Sequence, residues 1–179
     1  MSSLLPALKL EGQIVAESFQ SSLARRLFNI FPAYWSTGAV ITYISADWRA
    51  IKIKLPLKLR TRNYVGTIFG GSIYSAVDPI YMIMLIRLLG SDYVVWDKSA
   101  SIRFKKPGRS TLYASFKLDD EELATIRQLL TEQPSIDRTY TIELTDKEGV
   151  VHATVEKVIY IKLKSPTIQP VVETIGLIK

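Results

Sequence analysis

Apolar residues recur every four positions at Val15, Phe19, Leu23, Leu27 and Phe31, a spacing that puts side chains on one face of an α-helix. It predicts an amphipathic helix over 12–31, closed off by Pro32 and lying on the body of the fold. The period then changes. Stretches 38–46 (GAVITYISA) and 49–55 are β-rich and joined by Asp47-Trp48, which reads as a hairpin. Residues 70–89 are apolar nearly all round, through Ile73, Val77, Ile80, Met84, Leu85 and Leu88, and stop at Gly90. They predict a helix that needs cover on most sides. Stretches 93–106 and 110–118 read as strands joined by Pro107-Gly108. Asp119 and Glu122 make a capping box for a helix running to 131, and 137–146 and 150–164 read as a last strand pair linked by Glu148-Gly149.

A hairpin leading into one long buried helix, with four more strands after it, is an α+β arrangement in which an antiparallel sheet can wrap the helix. A chain of 179 residues suits one domain that buries roughly 70% of its unfolded surface. The expected organisation is an N-terminal helical extension over 1–33, a core over 34–164 and a C-terminal tail over 165–179.

Inside the central helix one residue demands an explanation. Asp78 is the only charged side chain between Tyr64 and Ile86, and a carboxylate in so apolar a segment must be hydrogen-bonded, paired or protonated. The segment is long enough to span a bilayer, but Gly66, Gly70 and Gly71 open it and Asp78-Pro79 occupy its middle. A charge there would cost roughly 2.5–3.5 kcal/mol in lipid, so a helix buried in a protein core is the better account and no membrane partner is expected. Pro79 cannot donate to the carbonyl of Ser75, which predicts a kink beside the carboxylate.

Composition narrows the chemistry. The chain has no cysteine and one histidine, His152, which excludes thiolate nucleophiles, disulfides and cysteine-based zinc sites and leaves no two-histidine mechanism. No metal is expected. The start, MSSLLPALKLEG, lacks the pattern of an export signal, so a cytoplasmic location is expected. The net charge of +6 is spread out: Lys52, Lys54, Lys58, Arg60 and Arg62 alternate with Ile51, Ile53, Leu55, Leu57 and Leu59. That is a strand with a wet face, read first as a lysine-protected sheet edge and second as a phosphate-binding surface. No aromatic residue interleaves with these charges, so no nucleic-acid partner is expected.

Gly70 and Gly71 at a helix start let a ligand approach the backbone, where unpaired N–H groups and the helix dipole would stabilise an oxyanion. A plain tight turn explains the same pair. Asp78 lies two helical turns beyond Gly71, on the same face. It would serve there as general base or nucleophile, against the alternative of a structural carboxylate that caps another element or pairs with an arginine. Asn63 would orient a water or a carbonyl, or simply make a turn. Ser72 and Ser75 are near enough to assist. Tyr74 and Tyr81 would close a pocket or pack the core. Lys105, Lys106 and Arg109 would meet phosphates or line a solvated turn, and His152 reads as a satisfied or surface histidine.

Asn63, then Phe69-Gly70-Gly71, then Asp78, followed by Ser101-Ile-Arg-Phe-Lys-Lys-Pro-Gly-Arg and Leu112-Tyr-Ala-Ser-Phe, match a pattern at its spacing. From Tyr34 to Leu163 the chain resembles the hotdog-fold thioesterase superfamily, nearest its phenylacetyl-CoA thioesterase-like branch. Relatives carry histidine where this chain has Phe69. The resemblance implies a hotdog fold and hydrolysis of an acyl-CoA or acyl-carrier thioester, with coenzyme A present only as part of the substrate and no other cofactor. It implies Asp78 as the catalytic carboxylate, Gly71 as oxyanion donor and Asn63 as positioner, with Gly70, Phe69, Ser72, Ser75, Tyr74, Lys105, Lys106 and Arg109 around the substrate. It further implies a homodimer or tetramer, with the helix start from one subunit and the carboxylate from the other. The competing expectation is a non-catalytic hotdog module that binds an acyl-CoA or lipid-like ligand. Acyl length would depend on how Tyr34, Trp35, Tyr74, Tyr81 and Met82 pack.

Overall fold

A computed structural model describes residues 15–164. Six strands form one sheet: β1 (Val40–Ile44), β2 (Ala50–Leu55), β3 (Tyr93–Phe104), β4 (Leu112–Lys117), β5 (Ser135–Thr145) and β6 (Val151–Leu163). Their order across the sheet is β1-β2-β4-β5-β6-β3, and every pairing is antiparallel. The central helix lies on the inner face as two pieces, α3 (Gly70–Val77) and α4 (Ile80–Leu89). Ala76, Ile80, Met84 and Leu85 are fully buried, against Ile51, Leu55, Leu112, Phe116, Val155 and Ile159 of the sheet. Tyr81 stacks on Tyr140 at 4.4 Å between ring centres and meets the edge of Phe116 at 5.2 Å. A sheet wrapped around a long central helix is the hotdog arrangement.

The expected kink is present. The amide of Asp78 still donates to Tyr74, Pro79 has nothing to offer Ser75, and Ile83 restarts the ladder on the carbonyl of Pro79. Gly70–Leu89 is long and apolar enough to cross a membrane, but half of it is buried inside the fold and Asp78-Pro79 divides it.

Three expectations need correction. The N-terminal helix is α1 (Phe19–Ile30), and Pro32 starts a short α2 (Pro32–Thr37) instead of simply ending it. Positions 12–14 of the expected helix and the tail at 165–179 lie outside the described residues. The stripe of Val15, Phe19, Leu23, Leu27 and Phe31 faces outward, with Phe19 at 85% exposure. What holds this segment to the body is Phe28, which packs on the core with its ring edge toward Trp48, together with polar contacts to β1. Asn29 exchanges two hydrogen bonds with the backbone of Ile41, at 2.9 and 2.8 Å, and Glu17 accepts from the amide of Ile44 at 2.9 Å. Periodicity found the helix but not which face docks, because main-chain groups at the β1 edge outweighed the apolar stripe.

The lysine alternation also ends early. Lys52 and Lys54 sit on β2, which is an interior strand, while Lys58, Arg60 and Arg62 fall in the following loop. The edge is β1, and Asn29 and Glu17 cover it. The opposite edge, β3, has no such cover among the described residues. Finally, the capping box before α5 (Asp120–Glu132) is half made. Asp119 accepts from the amide of Glu122 at 2.9 Å, but the Glu122 carboxylate turns to Arg138 and Tyr140.

Phe116→Ala should lower the unfolding free energy by about 3–5 kcal/mol, read from urea titration; a loss under about 1 kcal/mol would contradict this packing.

Candidate functional site

The loop that delivers the chain into α3 is tied at each turn. Buried Thr61 bonds Pro56 and Lys58 through its hydroxyl, and its carbonyl accepts from the amide of Phe69 at 2.7 Å. Asn63 spends its whole amide on Thr67: Oδ1 accepts from the Thr67 backbone at 3.0 Å and Nδ2 donates to its hydroxyl at 2.9 Å. These bonds hold the turn that leads to Gly70.

Phe69 is the N-cap residue of α3 in extended conformation, with no side-chain cap, and the first intrahelical bond runs from the amide of Ile73 to the Phe69 carbonyl. The N–H groups of Gly70, Gly71 and Ser72 therefore have no helical partner. Both glycines also leave room for a half-exposed phenyl ring, which would have to swing aside for any larger residue. A Cβ on Gly70 would meet the Phe104 ring at 2.8 Å, and one on Gly71 would meet the Phe69 ring at 2.3 Å. The Phe69 ring lies over Gly71 while remaining 56% exposed, so it forms a lip above the helix start.

The two glycines open on different sides. Gly71, Ser72, Ser75 and Asp78 line one groove of about 720 Å³, walled by Phe28, Phe31, Ala33 and Tyr34 from α1 and α2, by Phe69, and by Met82 and Ile83 from α4. Arg60 stands at its margin, stacked on Trp35 at 4.1 Å. Gly70 and Asn63 instead line a smaller cleft of about 370 Å³ with Phe104, Lys105 and Lys106. The structure thus brings together Gly71, Ser72, Ser75, Asp78 and Phe69, and separates them from Asn63, Gly70, Lys105 and Lys106. Arg109 is exposed and lines neither. Tyr74 faces the sheet, and Tyr81 is a core residue.

Asp78 is paired with a lysine, not the arginine that the structural reading of this residue anticipated. Its Oδ1 accepts from Nζ of Lys157 at 2.6 Å, and Lys157 also donates to Asp97 Oδ2 at 2.9 Å. The Lys157 side chain is 1% exposed, that of Asp78 40% and that of Asp97 22%. Burial alone would push the Lys157 ammonium down, but its bonds to Asp78 and Asp97 outweigh that and hold it above the ordinary lysine range. Burial raises the Asp97 carboxyl, against the pull of Lys157. The Tyr74 ring lies 5.5 Å from the ammonium, and its hydroxyl is raised by burial.

Lys157 and Asp97 were missed from sequence, although period two would have shown them. Ala153, Val155, Ile159 and Ile161 of β6 are all buried, and Lys157 shares their parity. Asp97 follows Val95 on the inner face of β3, just before a bulge between Asp97 and Ser99. His152 is satisfied, as expected: its ring nitrogens lie 3.0 Å from the carbonyl of Pro107 and 3.0 Å from Asp146.

Residues 20–161 match a family described as a domain of unknown function, DUF4442. No curated protein matches the chain. Among solved structures, a Pseudomonas aeruginosa protein described as a probable thioesterase superposes with a TM-score of 0.71 at 16% identity, over 85% of this chain and 100% of that one. A thioesterase from Haemophilus influenzae gives 0.60 at 14%, over 84% and 96%. A Shewanella oneidensis protein described as a thioesterase gives 0.58 at 18%, over 80% and 96%. At such identities the likeness shows the hotdog fold.

Gly70→Ala should displace the half-exposed Phe104 ring and destabilise by about 1 kcal/mol or less, since helix propensity partly offsets the clash. Gly70→Ala combined with Phe104→Leu should recover most of that in thermal unfolding; equal losses in single and double variants would refute the contact.

Proposed function

Because the chain belongs to the DUF4442 family and has the hotdog fold seen in thioesterases, we propose that it is an acyl-thioester hydrolase. The observation that carries this reading is that an uncapped helix start and a half-exposed carboxylate open onto one largely apolar groove. Seven residues separate Gly71 from Asp78, about 10 Å along a helix axis. A carbonyl held by an N–H, an attacking water and that water's bond to a carboxylate span a similar length.

In the proposed reaction Asp78 takes a proton from a water as its oxygen adds to the thioester carbon. The negative charge moves to the carbonyl oxygen, held by the N–H of Gly71 with that of Ser72 beside it, in the field of the α3 dipole. Collapse breaks the carbon–sulfur bond, and the proton on Asp78 passes to the departing thiolate, leaving an acid and a thiol. The Phe69 lip keeps water from the helix start and strengthens its field. Nothing in these steps uses an imidazole. Phe28, Phe31, Ala33, Met82 and Ile83 take the acyl group, so an apolar acyl chain fits best.

Coenzyme A or an acyl carrier would bear that acyl group in a cytoplasmic protein, and Lys105, Lys106 and Arg109, which lie outside this groove in the single chain, would meet its phosphates. The uncovered β3 edge favours a homodimer formed by continuing the sheet. A second reading, a non-catalytic acyl-binding module, is favoured by the Lys157 bond to Asp78, which competes for the carboxylate.

Asp78→Asn separates them. Assayed for thiol release from short, aryl and long acyl-CoA thioesters, the enzyme should lose activity by about 10²–10⁴-fold while still binding substrate. Binding without release by the wild type would favour the module. Light scattering should give a dimer, and a monomer would remove the β3 pairing.

A further inference from the structure

Lys157 is the only lysine buried among the described residues, and the proposed reaction gives it no chemical step. Its neighbours on β6, Val155 and Ile159, are core residues, and a lysine in such a row is expensive unless its charge is matched. It is matched twice over. Three charged groups and one ring meet beneath the break in the central helix: Asp78 from the end of α3, Asp97 from β3, Lys157 from β6, and Tyr74 from α3 over the ammonium.

Resting on the thioesterase reading, we propose that Lys157 and Asp97 are positioning residues that aim Asp78 into the groove and set its strength as a base. Lys157 ties one oxygen of Asp78 from the sheet side, the Tyr74 hydroxyl lies beside the same carboxylate, and Asp78, 40% exposed, still lines the groove. Asp97 has the complementary task. An ammonium bound to Asp78 alone would form a neutral pair and weaken it as a proton acceptor. Shared with Asp97, the ammonium leaves the cluster with one surplus negative charge. Of the two carboxylates, Asp78 is the more exposed and the one that lines the groove, whereas the second oxygen of Asp97 is buried without a partner. Pro79 contributes by breaking the helix at this point, which leaves room for the ammonium to reach under it.

This arrangement predicts limb displacements of opposite sign in the two variants, together with a fall in plateau kcat that a cluster with no part in aiming Asp78 does not produce. Lys157→Met removes a positive charge beside Asp78, so the acid limb of the pH–kcat profile should move up by about one pH unit or more. Asp97→Asn removes a negative charge, so the same limb should move down, with KM changed less than about twofold where only the base strength is altered. Lys157→Met should also lower the plateau kcat by about tenfold or more, through loss of orientation. Where Lys157→Met does not fold, Asp97→Asn alone decides: an unmoved limb overturns the proposal, as do limbs that move the same way in both variants.

The two inferences fail separately. Turnover that depends on Asp78 but ignores both variants sinks this one and leaves the thioesterase intact. No wild-type turnover sinks the thioesterase, and the positioning is then judged by crystallography. Lys157→Met should release the Asp78 carboxylate into other rotamers, and an unchanged single rotamer would overturn it.

Discussion

A buried ammonium held between two carboxylates, under a broken helix, is the contact on which the rest of this structure turns. It joins the central helix to two adjacent strands at the point where Pro79 has interrupted the main-chain ladder. Breaking it leaves an uncompensated charge in the core, a cost on the order of 3–5 kcal/mol. The same bond decides how the site is understood, because it holds Asp78 without hiding it. Half-exposure of that carboxylate is what distinguishes a poised group from a purely internal ion pair.

The double glycine shows how packing and chemistry coincide. Two phenyl rings need the missing Cβ atoms, Phe104 at Gly70 and Phe69 at Gly71, and the same bareness leaves main-chain N–H groups open beside the groove. Phe69 therefore has a positive role in the architecture. It folds back on the helix start and shapes the entrance to the groove, while the main-chain N–H groups of the helix start stay in place.

Sequence periodicity carried the fold well, because the strand alternations and the apolar central helix are strong patterns and Gly-Gly and Asp-Pro mark the helix start and its break. It carried the site less evenly. Asp78 stood out because it is isolated among apolar residues, and Gly71 because of its distance from Asp78. Lys157 did not, since β6 is flanked by other lysines and glutamates, and a charged residue among charged neighbours reads as surface until its parity is counted. Asn63 was legible as a turn residue, and its two bonds to Thr67 show why a lone amide before a glycine is ambiguous: the loop consumes it. The docking of α1 ran against its own apolar stripe, because the open edge of β1 needed Asn29 and Glu17. Periodicity records side chains and is blind to unpaired main-chain groups.

The most direct test of the account is a crystal structure with a ketone analogue of an acyl-CoA, in which a methylene replaces the thioester sulfur. The account places its carbonyl oxygen within hydrogen-bond distance of the Gly71 N–H, with the acyl chain along Phe28, Phe31 and Met82 and the Asp78 carboxylate facing the carbonyl carbon. A ligand bound away from this groove, or a carbonyl turned from the helix start with Asp78 still closed on Lys157, would contradict it.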